Sequence, residues 1–366
     1  MPTWVLVLII VCASLLFLTA SWWGVRKLQQ KHTRSAVGEI PHKGQTGQQR
    51  VAVILNPVAA GAAAAKLFLQ RSAALAGWED PLFLETTPVD PGYAQARAAL
   101  EFGADVVVVG GGDGTVRVVA EVLAHTQKPM GVIPLGTGNL LARNLDLDVN
   151  DIHGNVQTAL FGHQRHIDTA TMLIENSVSG TSSRHTFLVI AGVGMDAEVV
   201  ADTNAGLKKF VGWLAYSEAG VRHLPGRRKK VNIALDGESP QQRKVRSVLF
   251  ANCGLLPGGI DFIPNALIDD GVLDVVVVSP RSAIGWIAVS LKILFKHKGK
   301  LPVIDYYRSR TVTIRTAVPE ETQLDGDPSG KATKVTVAVE PGSLLMRVKA
   351  QQLEPDAGPD LFARGR

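Results

Sequence analysis

Asp105-Val-Val-Val-Val-Gly-Gly-Gly-Asp-Gly-Thr115 decides the fold class of this chain. Four successive valines read as a strand buried on both faces, the kind found in parallel sheets. The glycines that follow end the strand, and a helix is predicted from Thr115 to about Ala124. Such a turn presents bare backbone N–H groups with a helix dipole behind them, and without Cβ atoms phosphate oxygens can come close. Asp113 sits among these donors, so it suits Mg²⁺ or a substrate hydroxyl better than phosphate. A glycine turn can also serve only to pack a helix on a sheet. The acid and hydroxyl embedded at a strand's carboxyl end favour the functional reading. No lysine follows the glycines as in a P-loop.

The pattern repeats on either side. Strands are predicted at Val51–Leu55, Pro81–Thr87, Asp105–Val109 and Met130–Pro134, with helices at Gly61–Ala76 and Tyr93–Phe102 between them. This alternation implies parallel βαβ units, hence a Rossmann-like α/β nucleotide-binding domain over residues 51–170 with ligands at the strands' carboxyl ends. Two more glycine turns end strands there: Asn56-Pro-Val-Ala-Ala-Gly61 and Pro134-Leu-Gly-Thr-Gly-Asn139. Thr137 and Asn139 could hydrogen-bond a nucleotide, and Asn139 could equally cap the helix Leu140–Asn144. From residue 171 to 350 the strands Thr186–Gly192, Lys230–Leu235, Val245–Cys253, Val272–Val278, Thr311–Thr316 and Val335–Val339 are mostly separated by turns. That implies an antiparallel, β-rich second domain. Helical stretches near Leu207–His223 and Ala283–Lys296 interrupt it, and residues 351–366 read as a tail.

Charge is distributed unevenly along the 366 residues, whose net charge is +5. Residues 1–25 carry no charged side chain, and Trp4–Trp23 is an uncharged, mostly apolar run of 20. As a helix it would rise about 30 Å, the thickness of a bilayer's hydrocarbon core. Residues 26–50 form a basic linker, with Arg26, Lys27, Lys31, Arg34, Lys43 and Arg50 against Glu39. The expectation is a single transmembrane anchor with the body in the cytoplasm, on a bacterial inner membrane whose anionic surface attracts the linker. The remaining body is neutral, with 32 basic and 32 acidic residues, so no nucleic-acid partner is expected. Cys12 and Cys253 cannot form a disulfide framework or a four-cysteine zinc site.

The motifs NPxxxG, GGDGT and PLGTGN-x-x-AR, in this order and spacing, resemble the diacylglycerol kinase catalytic-domain family of bacterial, sphingosine and ceramide lipid kinases. The resemblance continues through Gly192-Val-Gly-Met-Asp-Ala197, Ala266-Leu-Ile-Asp-Asp-Gly-Val-Leu-Asp274 and Leu324-Asp-Gly-Asp327. It implies transfer of the γ-phosphoryl group of ATP, with Mg²⁺, to the hydroxyl of a membrane lipid such as diacylglycerol, a sphingoid base or ceramide. By position it implies ATP contacts at Asn56, Pro57, Val58, Ala59, Ala60, Thr87, Gly111, Gly112, Asp113, Gly114, Thr115, Val116, Arg117, Thr137 and Asn139, with Thr86 able to replace Thr87. It further implies a structural Mg²⁺ on Asp270 and the carbonyls of Leu267 and Val272, and places Asp196 at the substrate.

Phosphoryl transfer needs a base for the acceptor hydroxyl. Asp325 is the expected base and Asp113 the runner-up, although relatives with Glu at the position of Asp327 leave the choice open. Asp325-Gly326 is also a hairpin-turn signal. The rival functions are an NAD kinase-like small-molecule kinase, which shares GGDGT, and a non-catalytic lipid- or nucleotide-binding regulator. The oligomeric state is left open by the sequence.

Overall fold

The valines of Val106–Gly111 (β3) do form the centre of a parallel sheet, each of the four fully buried. The structure is a computed structural model. It describes residues 48–194, 228–256, 260–261, 263, 266–280 and 303–350. The chain divides into Met1–Gln45, outside the described residues, and Thr46–Arg366, to which everything below refers.

β3 lies between Val51–Leu55 (β1) and Met130–Pro134 (β4), and Leu82–Glu85 (β2) pairs with the far side of β1, all in parallel. The order β2-β1-β3-β4 reverses direction between β1 and β3, the position where α/β sheets open a ligand crevice. Alternation along the strands supplies both faces. Val51, Val53, Val106 and Val108 pack with Ala65 and Leu69 of helix Ala62–Leu75 (α1) and with Val156 and Leu160 of a later helix, Ile152–Phe161. Ala52, Ile54, Val107 and Val109 face the helices Tyr93–Glu101 (α2) and Asp113–Leu123 (α3). Burying one such valine is worth about 1.5–3 kcal/mol, which is why this sheet tolerates no polar side chain in its middle.

The β-rich half is attached through the same sheet. Its last strand, Asp327–Val348 (β16), pairs in parallel with β4 at Met346 and antiparallel with His163–Asn176 (β5) and Thr311–Leu324 (β15). Thr181–Phe187 (β6) pairs with β5, Lys229–Leu235 (β8) pairs with β15 and with Gln241–Val245 (β9), and Leu255–Leu256 (β11) pairs with Ile260–Asp261 (β12). Ile190–Val193 (β7) continues from β15 to Ser247–Ala251 (β10), Leu273–Val278 (β13) and Ile304–Ser309 (β14). Phe187, Phe250, Met172 and Val312 fill the core of this half. The expected strand Thr186–Gly192 is therefore two strands, broken at Leu188-Val189. The polar start of β5, His163-Gln-Arg-His166, concealed the longest strand before β15.

The expected membrane placement is corrected. Among the described residues no helix is long and apolar enough to cross a membrane. The longest of them, α1, has 14 residues and spans about 21 Å, short of a bilayer core. The run Trp4–Trp23 and the basic linker to residue 47 lie outside the described residues, as do Asp196, the two helical stretches within 195–227 and 281–302, and the tail.

Candidate functional site

Three glycine turns meet at the carboxyl ends of β1, β3 and β4. Asn56 N donates to Gly110 O at 2.9 Å and Leu135 N donates to Gly111 O at 3.0 Å, so the first and third turns are tied to adjacent residues of β3. A Cβ at Gly110 would stand 2.6 Å from Leu55 Cδ1, so the Leu55 side chain packs over the space that glycine leaves. Gly111 ends β3, Gly112 is the N-cap of α3, and Asp113, Gly114, Thr115, Val116 and Arg117 form its first turns. The helix begins two residues earlier than the sequence predicts, because Asp113 itself makes the first turn.

Asp113 clasps the third glycine turn. Its Oδ2 accepts from Asn139 N at 2.8 Å and its Oδ1 from Leu140 N at 2.6 Å, which caps the short helix Leu140–Asn144 (α4). A Cβ at Gly138 would sit 2.5 Å from Asp113 Oδ2, so only glycine leaves room for the carboxylate. Burial raises the Asp113 pKa, and the charge of Asp325 adds to the rise, against the N–H groups of Leu140 and Asn139. Asn139 holds its own loop closed: Oδ1 accepts from Gly136 N at 2.9 Å and Nδ2 donates to Gly136 O at 2.7 Å. Its amide is thus committed to the turn, while Thr137 beside it is exposed.

Asn56 Oδ1 accepts from Val58 N at 3.2 Å, shaping the first turn, and Pro57, Val58 and Ala60 are exposed around it, with Ala59 half-buried. Thr87 is exposed and its Oγ1 accepts from Asp90 N at 3.0 Å, whereas Thr86 is buried and bonds through its N–H to Leu55 O.

The turn between β15 and β16 reaches this rim. Asp325 and Gly326 have φ of 48° and 96°, the two positive values of a two-residue hairpin turn. The hairpin turn and the candidate acid coincide here. Asp325 is 8% exposed, and its carboxylate accepts three main-chain N–H bonds: Leu188 N to Oδ2 at 3.0 Å, and Val189 N and Ile190 N to Oδ1 at 2.9 Å each. Burial raises its pKa, opposed by those three donors and by Arg117. Asp327 points the other way. Its side chain is 57% exposed, 3.6 Å from Arg117 Nη2, and its Oδ2 lies 3.6 Å from where a Cβ on Gly114 would be. The structure thus brings Asp113, Arg117, Asp325 and Asp327 together against the first turn of α3.

Asp270 lies elsewhere, at the start of β13. Its Oδ1 accepts from Val272 N at 3.2 Å and its Oδ2 takes a hydrogen bond from Arg308, whose Nε is 3.7 Å from Asp274. Leu267 is exposed. While Arg308 holds Asp270, this set does not fit Mg²⁺, since a guanidinium already balances the carboxylate. No group of three or more His, Cys, Asp or Glu that could hold a metal occurs among the described residues.

Reading the sequence missed Arg308, and it missed Asp168, which is 2% exposed and accepts from Gly271 N at 2.6 Å and Gly342 N at 2.7 Å. An acid inside the apolar strand Ile167–Ile174 was the available signal. The donors on Asp325 left none, because they are main-chain groups.

Comparison with known proteins bears out the family resemblance. Residues 50–172 match the diacylglycerol kinase catalytic domain, and residues 189–348 match the YegS C-terminal NAD kinase beta sandwich-like domain. A protein named "Diacylglycerol kinase" from Bacillus subtilis is 29% identical over 70% of this chain and 81% of its own length. The "Probable lipid kinase YegS-like" of Stenotrophomonas maltophilia is 30% identical over 69% of this chain and 81% of its own. A crystal structure described as a diacylglycerol kinase from Bacillus anthracis superposes with a TM-score of 0.64 at 25% identity, covering 84% of this chain and 99% of that one. The chain belongs to the family of diacylglycerol kinase catalytic-domain proteins that carry a YegS-type C-terminal domain.

Proposed function

We propose that this kinase transfers the γ-phosphoryl group of ATP to the hydroxyl of a lipid alcohol, of the diacylglycerol, sphingoid or ceramide class. The observation that carries the reading is the meeting of the Asp325–Asp327 turn with the three glycine turns at one sheet rim. The first turn of α3 has main-chain N–H groups without intrahelical partners, and these suit the oxygens of a triphosphate. Arg117 adds a fixed positive charge beside them.

Asp327 takes the proton in this reading, in place of Asp325. A base must reach the acceptor hydroxyl. Asp327 is exposed and its carboxylate accepts no main-chain N–H bond among the described residues, whereas Asp325 is buried with both carboxylate oxygens committed to main-chain N–H groups. As the hydroxyl oxygen bonds to the γ-phosphorus, its proton passes to the Asp327 carboxylate. The bond from that phosphorus to the β-bridging oxygen breaks, and ADP leaves. Asp325 fixes the turn from below and Asp113 fixes the loops. We assign no residue of the chain to a magnesium ion.

The test offers γ-labelled ATP with dioleoylglycerol, sphingosine and ceramide in separate mixed micelles, and with NAD alongside. Label in a lipid supports the reading. Label in NAD alone, or binding of ATP without turnover on any lipid, overturns it.

A further inference from the structure

We propose that Asn252 is a positioning residue for the Asp325–Asp327 turn, acting through the two peptide groups that grip Asp325 Oδ1. The inference rests on the reading of that turn as catalytic. Asn252 is 1% exposed and follows β10. Its Nδ2 donates to Leu188 O at 3.0 Å and its main-chain N–H donates to Val189 O at 2.9 Å. Leu188 C=O and Val189 N–H belong to one peptide group, and Val189 C=O and Ile190 N–H to the next. Each group therefore receives a hydrogen bond from Asn252 on its oxygen and gives one to Asp325 from its nitrogen.

Hydrogen bonds in series polarise one another. A donor on the carbonyl draws charge through the amide and makes its N–H a stronger donor. The Asn252 side chain thus strengthens the Val189 N–H bond to Asp325, while its main-chain N–H, which any residue at 252 would supply, does the same for the Ile190 N–H bond and survives substitution. The orientation of the amide is fixed by its surroundings. Nδ2 also donates to Asp168 O at 2.9 Å, so exchanging Oδ1 and Nδ2 would aim an oxygen at two carbonyl oxygens. Oδ1 is buried and has no partner among the described residues, so the side chain is kept for what its nitrogen does. Cys253 assists from the same side, with Sγ donating to Leu188 O at 3.4 Å. Among the described residues, the charged and titratable groups around Asp325 are Arg117 and Asp113 on α3, Asp327 on its own turn, Cys253 behind it and Asp168 beyond.

The decisive measurement is a ¹³C-carboxyl NMR titration of the full chain labelled at aspartate, with the Asp325 signal identified by its loss in Asp325→Asn. In Asn252→Ala the Asp325 midpoint is expected to rise by about one pH unit, a tenfold change in its proton affinity. In Cys253→Ala, a milder change, it rises by less. Asn252→Ala should also lower kcat on dioleoylglycerol with KM for ATP unchanged. An Asp325 midpoint that stays put or falls in a folded Asn252→Ala chain overturns the proposal. Should that variant not fold, Cys253→Ala decides by the same criterion. Absence of lipid phosphorylation by the unaltered chain would sink the kinase reading instead, and the titration, which needs no substrate, keeps the two failures apart.

Discussion

Gly136 lies so close to Gly112 that a Cβ at position 136 would stand 2.5 Å from the Gly112 Cα. The second and third glycine turns of the rim thus touch backbone to backbone, and Gly112 occupies the space a side chain on Gly136 would need. Gly136→Ala must part them, since backbone cannot yield as a side chain tip does. We expect at least tenfold weaker binding of a non-hydrolysable ATP analogue, about 1.4 kcal/mol, measured by calorimetry. Affinity equal to that of the unaltered chain would show that the nucleotide does not use this rim.

Asp113 holds two N–H groups at the start of α4. Asp113→Ala leaves both without their acceptor in a half-buried place, so roughly 2 kcal/mol or more of stability should be lost. Thermal unfolding should show this without any nucleotide, which separates the clasp from a direct part in the chemistry.

The two acids of the hairpin turn should part company. Asp327→Asn changes an exposed side chain and should leave Tm unaltered while kcat falls about 10²- to 10⁴-fold. Asp325→Asn should lower both Tm and kcat, because an amide oxygen cannot accept all three of the N–H bonds now made. Turnover preserved in Asp327→Asn would return the proton to another acceptor.

Asp90 gives a pH dependence of known sign. Its carboxylate accepts from Gly92 N at 2.9 Å, Tyr93 N at 2.7 Å and Ala94 N at 3.0 Å at the start of α2. The N–H of Gly92 is the main cause of a pKa below the ordinary aspartate value. Stabilisation by Asp90 is therefore present above the unfolded value of about 4 and is lost as pH falls through the lower folded one. Asp90→Asn should flatten the loss of stability in acid during urea unfolding, and an unchanged acid slope would count against the cap.

Arg308 decides whether a cation can reach Asp270. Arg308→Ala removes the guanidinium, so Mg²⁺ should then raise Tm in the absence of nucleotide, while the unaltered chain should not respond. A response of the unaltered chain that chelation abolishes would show that Arg308 gives way to the ion.

The nucleotide half was legible because its signals are local. An all-valine strand, glycines at its end and a helix after it are read within eleven residues, and the strands fell where expected. The β-rich half was less legible because its strands are defined by distant partners. β5 begins with four polar residues, whose place in the sheet comes only from pairing with Leu345–Val348 of β16. The break at Leu188-Val189 gave no sign in an unbroken apolar run, yet it turns three amides toward Asp325. Asp325 itself was visible as a hairpin aspartate. What it bonds was not, since peptide groups are the same in every sequence.

One strand, β16, carries Asp327 at its beginning and joins β4 of the nucleotide sheet at Met346. Expressing residues 50–172 alone would strip that neighbour from β4 and leave a bare row of amides and carbonyls open to other chains. Such a fragment would be prone to clump, and supplying the missing half in trans should rescue it. A chimera that joins halves of two relatives would therefore have to rebuild this one contact.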